Sequence, residues 1–147
     1  MTPFMTQTDA DLYFADVLKG KDWATYSDAD KVLALNQATL AINALNFLGK
    51  KTVAAQENQF PRGTDTLVPV DIQRASADLA LRLLDEVDPE TEFEALFMSS
   101  SEFDKVKASY KNESKPLHVL MGIPSLDAWI KISPYLRDYR TANIRRS

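Results

Sequence analysis

The stretch SDADKVLALNQATLAINALNFL, residues 27–48, decides the fold. Apolar side chains recur in it at spacings of three and four residues, which is the period of an amphipathic helix. Ser27 precedes the pattern as an N-cap, and Asp30 follows three positions later, near the positive end of the helix dipole. The sequence therefore predicts one long helix, closed by Gly49.

A second apolar row on this helix consists of Leu33, Leu40 and Phe47, about 100° around the helix from the first. Two interpretations remain open. Both rows could form one wide buried face, or one row could face the core and the other a neighbouring helix, including one of another subunit.

Similar patterns predict further helices on both sides of this one. We expect helices over residues 9–18, with Thr8 as N-cap, over 69–87 and over 89–97, with one or two turns in 125–132. The predicted fold class is mainly α: a bundle of three to five helices with an extended strand-like arm and an irregular C-terminal segment. The chain then divides into a helical core over 1–98, an arm over 99–115 and a docking segment over 116–147, all within one domain.

The arm is predicted from its composition and from strand-like alternation of apolar and polar residues. A lone strand leaves its edges unpaired, so this segment is an extended arm, a hairpin, or a strand that pairs with another chain. A disordered surface loop is the alternative. The arm residues are Phe103, Lys105, Val106, Lys107 and Tyr110.

The long connection over 49–68 contains the block Gln59-Phe60-Pro61-Arg62-Gly63. Proline and glycine this close together exclude a regular helix or a central strand. An aromatic ring and a guanidinium therefore flank a fixed proline. Such a rigid loop more often positions something than merely connects two helices, so Phe60, Pro61 and Arg62 are candidate interface residues.

Composition limits the possible functions. The 147 residues suit one domain, and 45% hydrophobic with 26% charged residues is typical of a soluble globular chain. No apolar run is long enough for a membrane span, and the N-terminus does not resemble a secretory signal. A net charge of −4 argues against duplex nucleic-acid binding. The basic residues near the C-terminus are Arg137, Arg140, Arg145 and Arg146.

Catalytic residue types are scarce in this sequence. There is no cysteine and one histidine, His118, which lies between two apolar residues and is interpreted as structural. No metal-ligand spacing and no glycine-rich phosphate loop occur. We expect a protein that is not an enzyme and needs no cofactor or metal.

The order of these motifs resembles a known group of phage proteins. The order runs through Trp23, the helix that opens at Ser27, Phe47-Leu48-Gly49, Gln59-Phe60-Pro61-Arg62, Gly122-Ile123-Pro124-Ser125 and Pro134-Tyr135-Leu136. It is similar to phage proteins labelled DnaT-like single-stranded-DNA-binding proteins, and also to the head-completion adaptors, or head-tail connectors, of tailed phages.

The adaptor resemblance implies a structural ring protein, commonly of about twelve copies with one repeated interface. Such a ring joins the portal at the capsid vertex to tail or nozzle proteins, and DNA passes through it without sequence-specific binding. The protein would be made in the host cytoplasm and located in the virion. On this prediction, Phe60, Pro61, Arg62, Leu33, Leu40 and Phe47 form subunit contacts, and the C-terminal arginines dock on the portal.

The alternative is a single-stranded nucleic-acid-binding protein of phage replication. It would stack bases on aromatic residues beside lysines and arginines. The candidate platforms are Trp23, Phe60, Tyr110 and Tyr139, and the candidate cations are Lys105, Lys107, Lys111 and Arg140. A strand-binding protein should show salt-sensitive affinity for oligonucleotides, whereas a ring protein should show none.

Overall fold

The computed structural model describes residues 2–85 and 117–137. This part is mainly α-helical and contains no strand, which confirms the predicted fold class. Its helices are α1 (Gln7–Ala15), α2 (Gly20–Trp23), α3 (Asp28–Asn43), α4 (Val70–Leu84), α5 (Leu117–Leu120) and α6 (Leu126–Ile132), followed by a 3-10 turn, Ser133–Tyr135. Within the two described ranges, no helix has the length and apolar character needed to cross a bilayer.

The core is built around α4. Every residue from Ala75 to Leu81 is buried, because α3 packs on one side of α4 and α6 on another. Alanines in this stretch allow the helices to approach closely, and Ile132 of α6 is fully buried in the same core cluster. Residues 117–137 therefore belong to the core rather than to a separate appendage. The predicted arm, the predicted helix over 89–97 and the predicted domain boundaries lie outside the described residues.

The caps explain where the helices begin. Ser27 accepts a hydrogen bond from the backbone N–H of Asp30, as predicted. The first helix, in contrast, is capped by Thr6, which accepts from the N–H of Asp9, so the prediction of Thr8 is wrong. Both threonines are followed by an aspartate at the capping-box spacing, and the sequence alone does not rank them.

Helix α3 ends earlier than predicted. It stops at Asn43, and Phe47 is not helical. The side chain of Asn43 binds the following loop instead: its Nδ2 donates to Asn58 Oδ1 over 2.9 Å, and its Oδ1 accepts from the N–H of Gln59 over 2.9 Å. Tertiary hydrogen bonds thus fold the chain back where the apolar pattern would continue the helix.

Gly20 begins α2 rather than only terminating α1. A Cβ at this position would collide with the backbone carbonyl oxygen of Phe14, so the close approach of the two segments requires glycine.

The two apolar rows of α3 have different environments. Leu35, Ala38 and Ile42 are buried, whereas Leu33 is 65% exposed and Leu40 is 57% exposed. The interpretation of one wide buried face is therefore wrong. Contact of Leu33 and Leu40 with another chain stays a prediction.

Candidate functional site

The loop between α3 and α4 is anchored by Phe60. Its side chain is 3% exposed and makes edge contacts with the rings of Phe4, Phe47 and Tyr135, at centroid distances of 5.9, 4.7 and 5.7 Å. Aromatic pairs in this geometry contribute beyond the area that they bury. Phe60 therefore fixes the loop onto the core. Its predicted contact with another chain stays a prediction, as does that of Phe47, which is also 3% exposed.

Two short backbone pairings shape the surface above this aromatic cluster. Residues 46–48 pair with 135–137: the N–H of Leu48 donates to the carbonyl of Tyr135 over 2.9 Å, and that of Arg137 donates to Asn46 over 3.2 Å. Residues 50–52 pair with 61–63, where the N–H of Gly63 donates to Lys50 over 2.8 Å. Three segments that are distant in sequence are therefore held side by side.

Arg62 occupies the centre of this arrangement. Its Nε donates to the carbonyl of Leu48 over 2.9 Å, its Nη1 to the backbone carbonyl and side chain of Gln59, and its Nη2 to the carbonyl of Gly49 over 2.6 Å. A planar guanidinium suits several fixed acceptors at once. Arg62 thus joins the chain after α3 to the loop that carries Phe60.

Arg137 reaches the same place from the end of the described chain. Its Nε donates to the carbonyl of Phe47 over 3.2 Å, and the Nη2 of Arg62 lies 3.5 Å from that same oxygen. Burial, together with the positive charge of Arg137, lowers the pKa of Arg62 from its ordinary value. The two guanidinium groups are thus close enough to repel each other.

Lys50 and Lys51 add two more positive charges. Lys50 is exposed, and the Nζ of Lys51 donates to the carbonyl of Gln56 over 3.2 Å. We call Lys50, Lys51, Arg62 and Arg137 the basic cluster. None of the four forms an ion pair with a carboxylate of the described residues.

Acidic residues gather at the opposite end of α3. Asp11 and Asp28 lie there together, because Gln7 Nε2 donates to both carboxylates, over 3.1 and 2.9 Å. Helix α3 has 16 residues and is about 24 Å long, which is well beyond the Debye length of about 8 Å in physiological salt. The carboxylates of Asp11 and Asp28 are therefore too distant to neutralise the basic cluster.

An anion is the natural ligand of such a cluster. The like charges of Arg62 and Arg137 repel each other, and a phosphate between or beside them would remove that repulsion. Lys and Arg contacts to phosphates are also the source of sequence-independent nucleic-acid affinity. The basic cluster is therefore a candidate phosphate-binding surface.

Two of the predicted stacking platforms are not available. Trp23 is 2% exposed, its ring stacks on Phe14 with centroids 4.6 Å apart, and its Nε1 donates to Asp11 over 2.7 Å. Lys31 covers the same ring. Trp23 is therefore a core anchor, and its predicted use as a base-stacking platform, like that of the buried Phe60, is wrong.

Most of the remaining predicted site residues lie outside the described ranges. These predicted residues are Phe103, Lys105, Val106, Lys107, Tyr110, Lys111, Tyr139, Arg140, Arg145 and Arg146. Pro61 and Arg62 lie in the loop as expected, and Arg137 lies against residues 46–47.

The sequence did not single out Lys50, Lys51 or Tyr135. The sequence does contain one indication of the two lysines as site residues. The dipeptide Lys50-Lys51 directly follows a glycine at the end of a long predicted helix. No signal in the sequence shows that residues 135–137 lie beside them.

A second concave surface lies between α4 and α6. This cleft, of about 360 Å³, carries both charge signs, and Lys19 pairs with Asp127 at its edge. His118 borders the cleft, and its Nδ1 lies 2.7 Å from the carbonyl oxygen of Ile123. In the described part of the chain, no group of three or more acidic or histidine side chains is suited to hold a metal ion.

Comparisons with known proteins identify the family. The model of a family described as "Putative DnaT-like ssDNA binding protein" matches residues 3–146, almost the whole chain, so the chain belongs to this family. Comparisons with curated proteins and with solved structures gave no match.

This match corrects the preferred functional prediction. The family is described by single-stranded DNA binding and not by a position between portal and tail. The predicted ring of adaptor subunits, its portal and tail partners, and passage of DNA through the ring without sequence-specific binding are therefore wrong. The alternative prediction, a single-stranded nucleic-acid-binding protein, agrees with the description of the family.

Proposed function

We propose, from membership of this DnaT-like family, that the protein binds single-stranded DNA through its basic cluster and is a binding protein without catalytic activity. One observation supports this site above others. Arg62 and Arg137 converge on the carbonyl of Phe47, and no described carboxylate neutralises them. Lys50 and Lys51 extend the same positive surface.

The chemistry of the site favours contacts to phosphates rather than to base edges. The N–H groups of Arg62 are already engaged by backbone and side-chain oxygens, so it contributes charge more than new hydrogen bonds. Lys50 and Arg137 retain free donors, and Lys51 has three donors of which one is used. Such contacts position a strand without reading its sequence.

A flexible single strand fits this surface better than a duplex. Duplex binding generally needs a broad basic face, whereas the cluster is confined to one end of α3 and the other end is acidic. A single strand can bend so that two or three adjacent phosphates meet the cluster. We expect about three phosphate contacts, which gives a salt slope of log K against log salt of about −2.

Fluorescence anisotropy with a labelled thymidine oligomer tests this proposal. The wild-type protein should bind with the stated salt slope, and Lys50→Gln/Arg137→Gln should reduce that slope by about 1.4, with a matching loss of affinity at low salt. Lys21→Gln/Arg74→Gln removes the same charge elsewhere and is the matched control.

The control variant decides how a loss of affinity is interpreted. Equal loss in the control variant would show that only net charge matters, and unchanged binding in Lys50→Gln/Arg137→Gln would place the strand elsewhere. Either outcome would refute the basic cluster as the site. A circular dichroism melt of each variant shows whether the fold is retained.

A further inference from the structure

The basic cluster has one aromatic side chain at its margin, Tyr135. Resting on the proposed function, we propose that Tyr135 is the base-stacking residue of this site, so that a base lies on its ring while the adjacent phosphates contact Lys50 and Arg137. Stacking on aromatic rings supplies sequence-tolerant affinity in proteins that bind single strands.

The ring of Tyr135 is held in place. Tyr135 ends the 3-10 turn, and its carbonyl accepts the N–H of Leu48, which lies two residues before Lys50. The edge contact with Phe60 has an interplanar angle of 89°. The side chain is half-buried, so part of the ring stays accessible. A platform fixed in this way loses little conformational entropy when a base stacks on it.

The other half-buried aromatic rings in the described ranges are engaged elsewhere. The hydroxyl of Tyr13 donates to Asp78, and Arg74 covers its ring. The hydroxyl of Tyr26 donates to Asp85. Trp129 faces His118 at a centroid distance of 6.5 Å. Tyr135 is thus the aromatic residue that the fold brings beside the basic cluster.

Two carboxylates also lie near the Tyr135 side chain. Burial, together with the charges of Asp71 and Asp65 and a hydrogen bond to Asp71, raises the pKa of the Tyr135 hydroxyl. The hydroxyl is therefore neutral at physiological pH. Because Asp71 repels phosphates and Arg137 attracts them, the phosphates next to the stacked base should lie toward Arg137.

Two oligomers of equal charge separate stacking from phosphate binding. One is a thymidine oligomer. The other has the same number of phosphates, but abasic tetrahydrofuran units replace its nucleosides. The wild-type protein should bind the thymidine oligomer about fivefold or more tightly. Tyr135→Leu should remove this preference while keeping the affinity for the abasic oligomer, and Tyr135→Phe should retain the preference. Lys50→Gln should weaken both oligomers equally.

The failures of the two proposals can be told apart. Binding of neither oligomer by the wild-type protein would refute the proposed function. Equal wild-type affinity for both oligomers, or a preference that persists in Tyr135→Leu, would refute the stacking role and leave phosphate binding intact.

A crosslinking experiment with the unmodified protein is independent of the folding of any variant. On ultraviolet irradiation, an oligomer that contains 5-iodouracil should become crosslinked to the tryptic peptide 132–137, in which Tyr135 is the aromatic residue. Crosslinks confined to other peptides would overturn the assignment.

Discussion

Removal of the Arg62 guanidinium should destabilise the folded protein. The structure shows four hydrogen bonds of 2.6 to 3.1 Å from this group to the oxygens of Leu48, Gly49 and Gln59. They close the loop that carries the buried Phe60. In Arg62→Ala, these oxygens would accept hydrogen bonds only from water or from no donor at all. The loop would then be held less tightly.

The expected size follows from the exposure of these bonds. A hydrogen bond from a charged group contributes about 1.5–3 kcal/mol when buried, but this group is partly exposed, and about 0.5–1 kcal/mol for each bond is appropriate. The four bonds then give a loss of about 2–4 kcal/mol in the free energy of unfolding. For a chain of this size, the loss corresponds to a decrease in Tm of about 4–16 °C.

Differential scanning calorimetry and urea unfolding measure this change. Arg62→Lys keeps the charge but not the planar arrangement of donors, so it should lose most of the same stability. Lys50→Ala, which removes an exposed side chain nearby, should change the stability by less than about 0.5 kcal/mol. A Tm of Arg62→Ala within about 1 °C of wild type would refute the loop-closing role.

Three further predictions concern stability. Ser27→Ala should cost about 1 kcal/mol, because it removes the N-cap of α3, and chemical denaturation should detect the loss. Lys131→Met should cost about 3 kcal/mol in the same assay, because it leaves the buried carboxylate of Asp78 without its ion-pair partner at 2.6 Å. Burial, together with the nearby charge of Asp78, raises the pKa of Tyr13 to about 12. The folded state therefore holds this proton more tightly than the unfolded chain. The resulting stability is complete below a pH of about 10 and is lost as the pH rises toward about 12, so urea midpoints should fall less steeply across this window in Tyr13→Phe.

Each of these predictions has a control. Ser27→Asn should keep most of the stability, since asparagine also caps helices. Asp78→Asn combined with Lys131→Met should recover part of the loss, since the buried charge is gone. The wild-type protein is the alkaline control, and a pH profile of Tyr13→Phe as steep as that of the wild type would contradict the assignment to Tyr13.

The start of α3 and the main core anchor could be predicted from the sequence because their causes are local. Ser27 is followed by an aspartate at the right spacing, and Trp23 is a large apolar side chain between two helices. The end of α3 could not be read in this way. Asn43 stops the helix through bonds to Asn58 and Gln59, and the apolar pattern beyond it contains no mark of that loop.

The candidate site was hidden for a different reason. The net charge of −4 argued against nucleic-acid binding, but a sum over the chain carries no information on position. The fold separates the carboxylates around Asp11 from the cations around Arg62 by about the length of α3. The positions of these cations, and not the sum of charges over the chain, govern contact with phosphates.

The sequence by itself determined a helical domain, the N-cap of α3 and the residues able to fill its core, because periodicity and capping act over a few neighbouring residues. The tertiary structure decided that Arg62 closes a loop, that Trp23 and Phe60 are inaccessible, and that residues 135–137 pair with residues 46–48, shortly before Lys50 and Lys51. These contacts join residues up to 90 positions apart, as between Arg137 and Phe47. Only the packed core fixes such pairs, since no local pattern relates one member to the other.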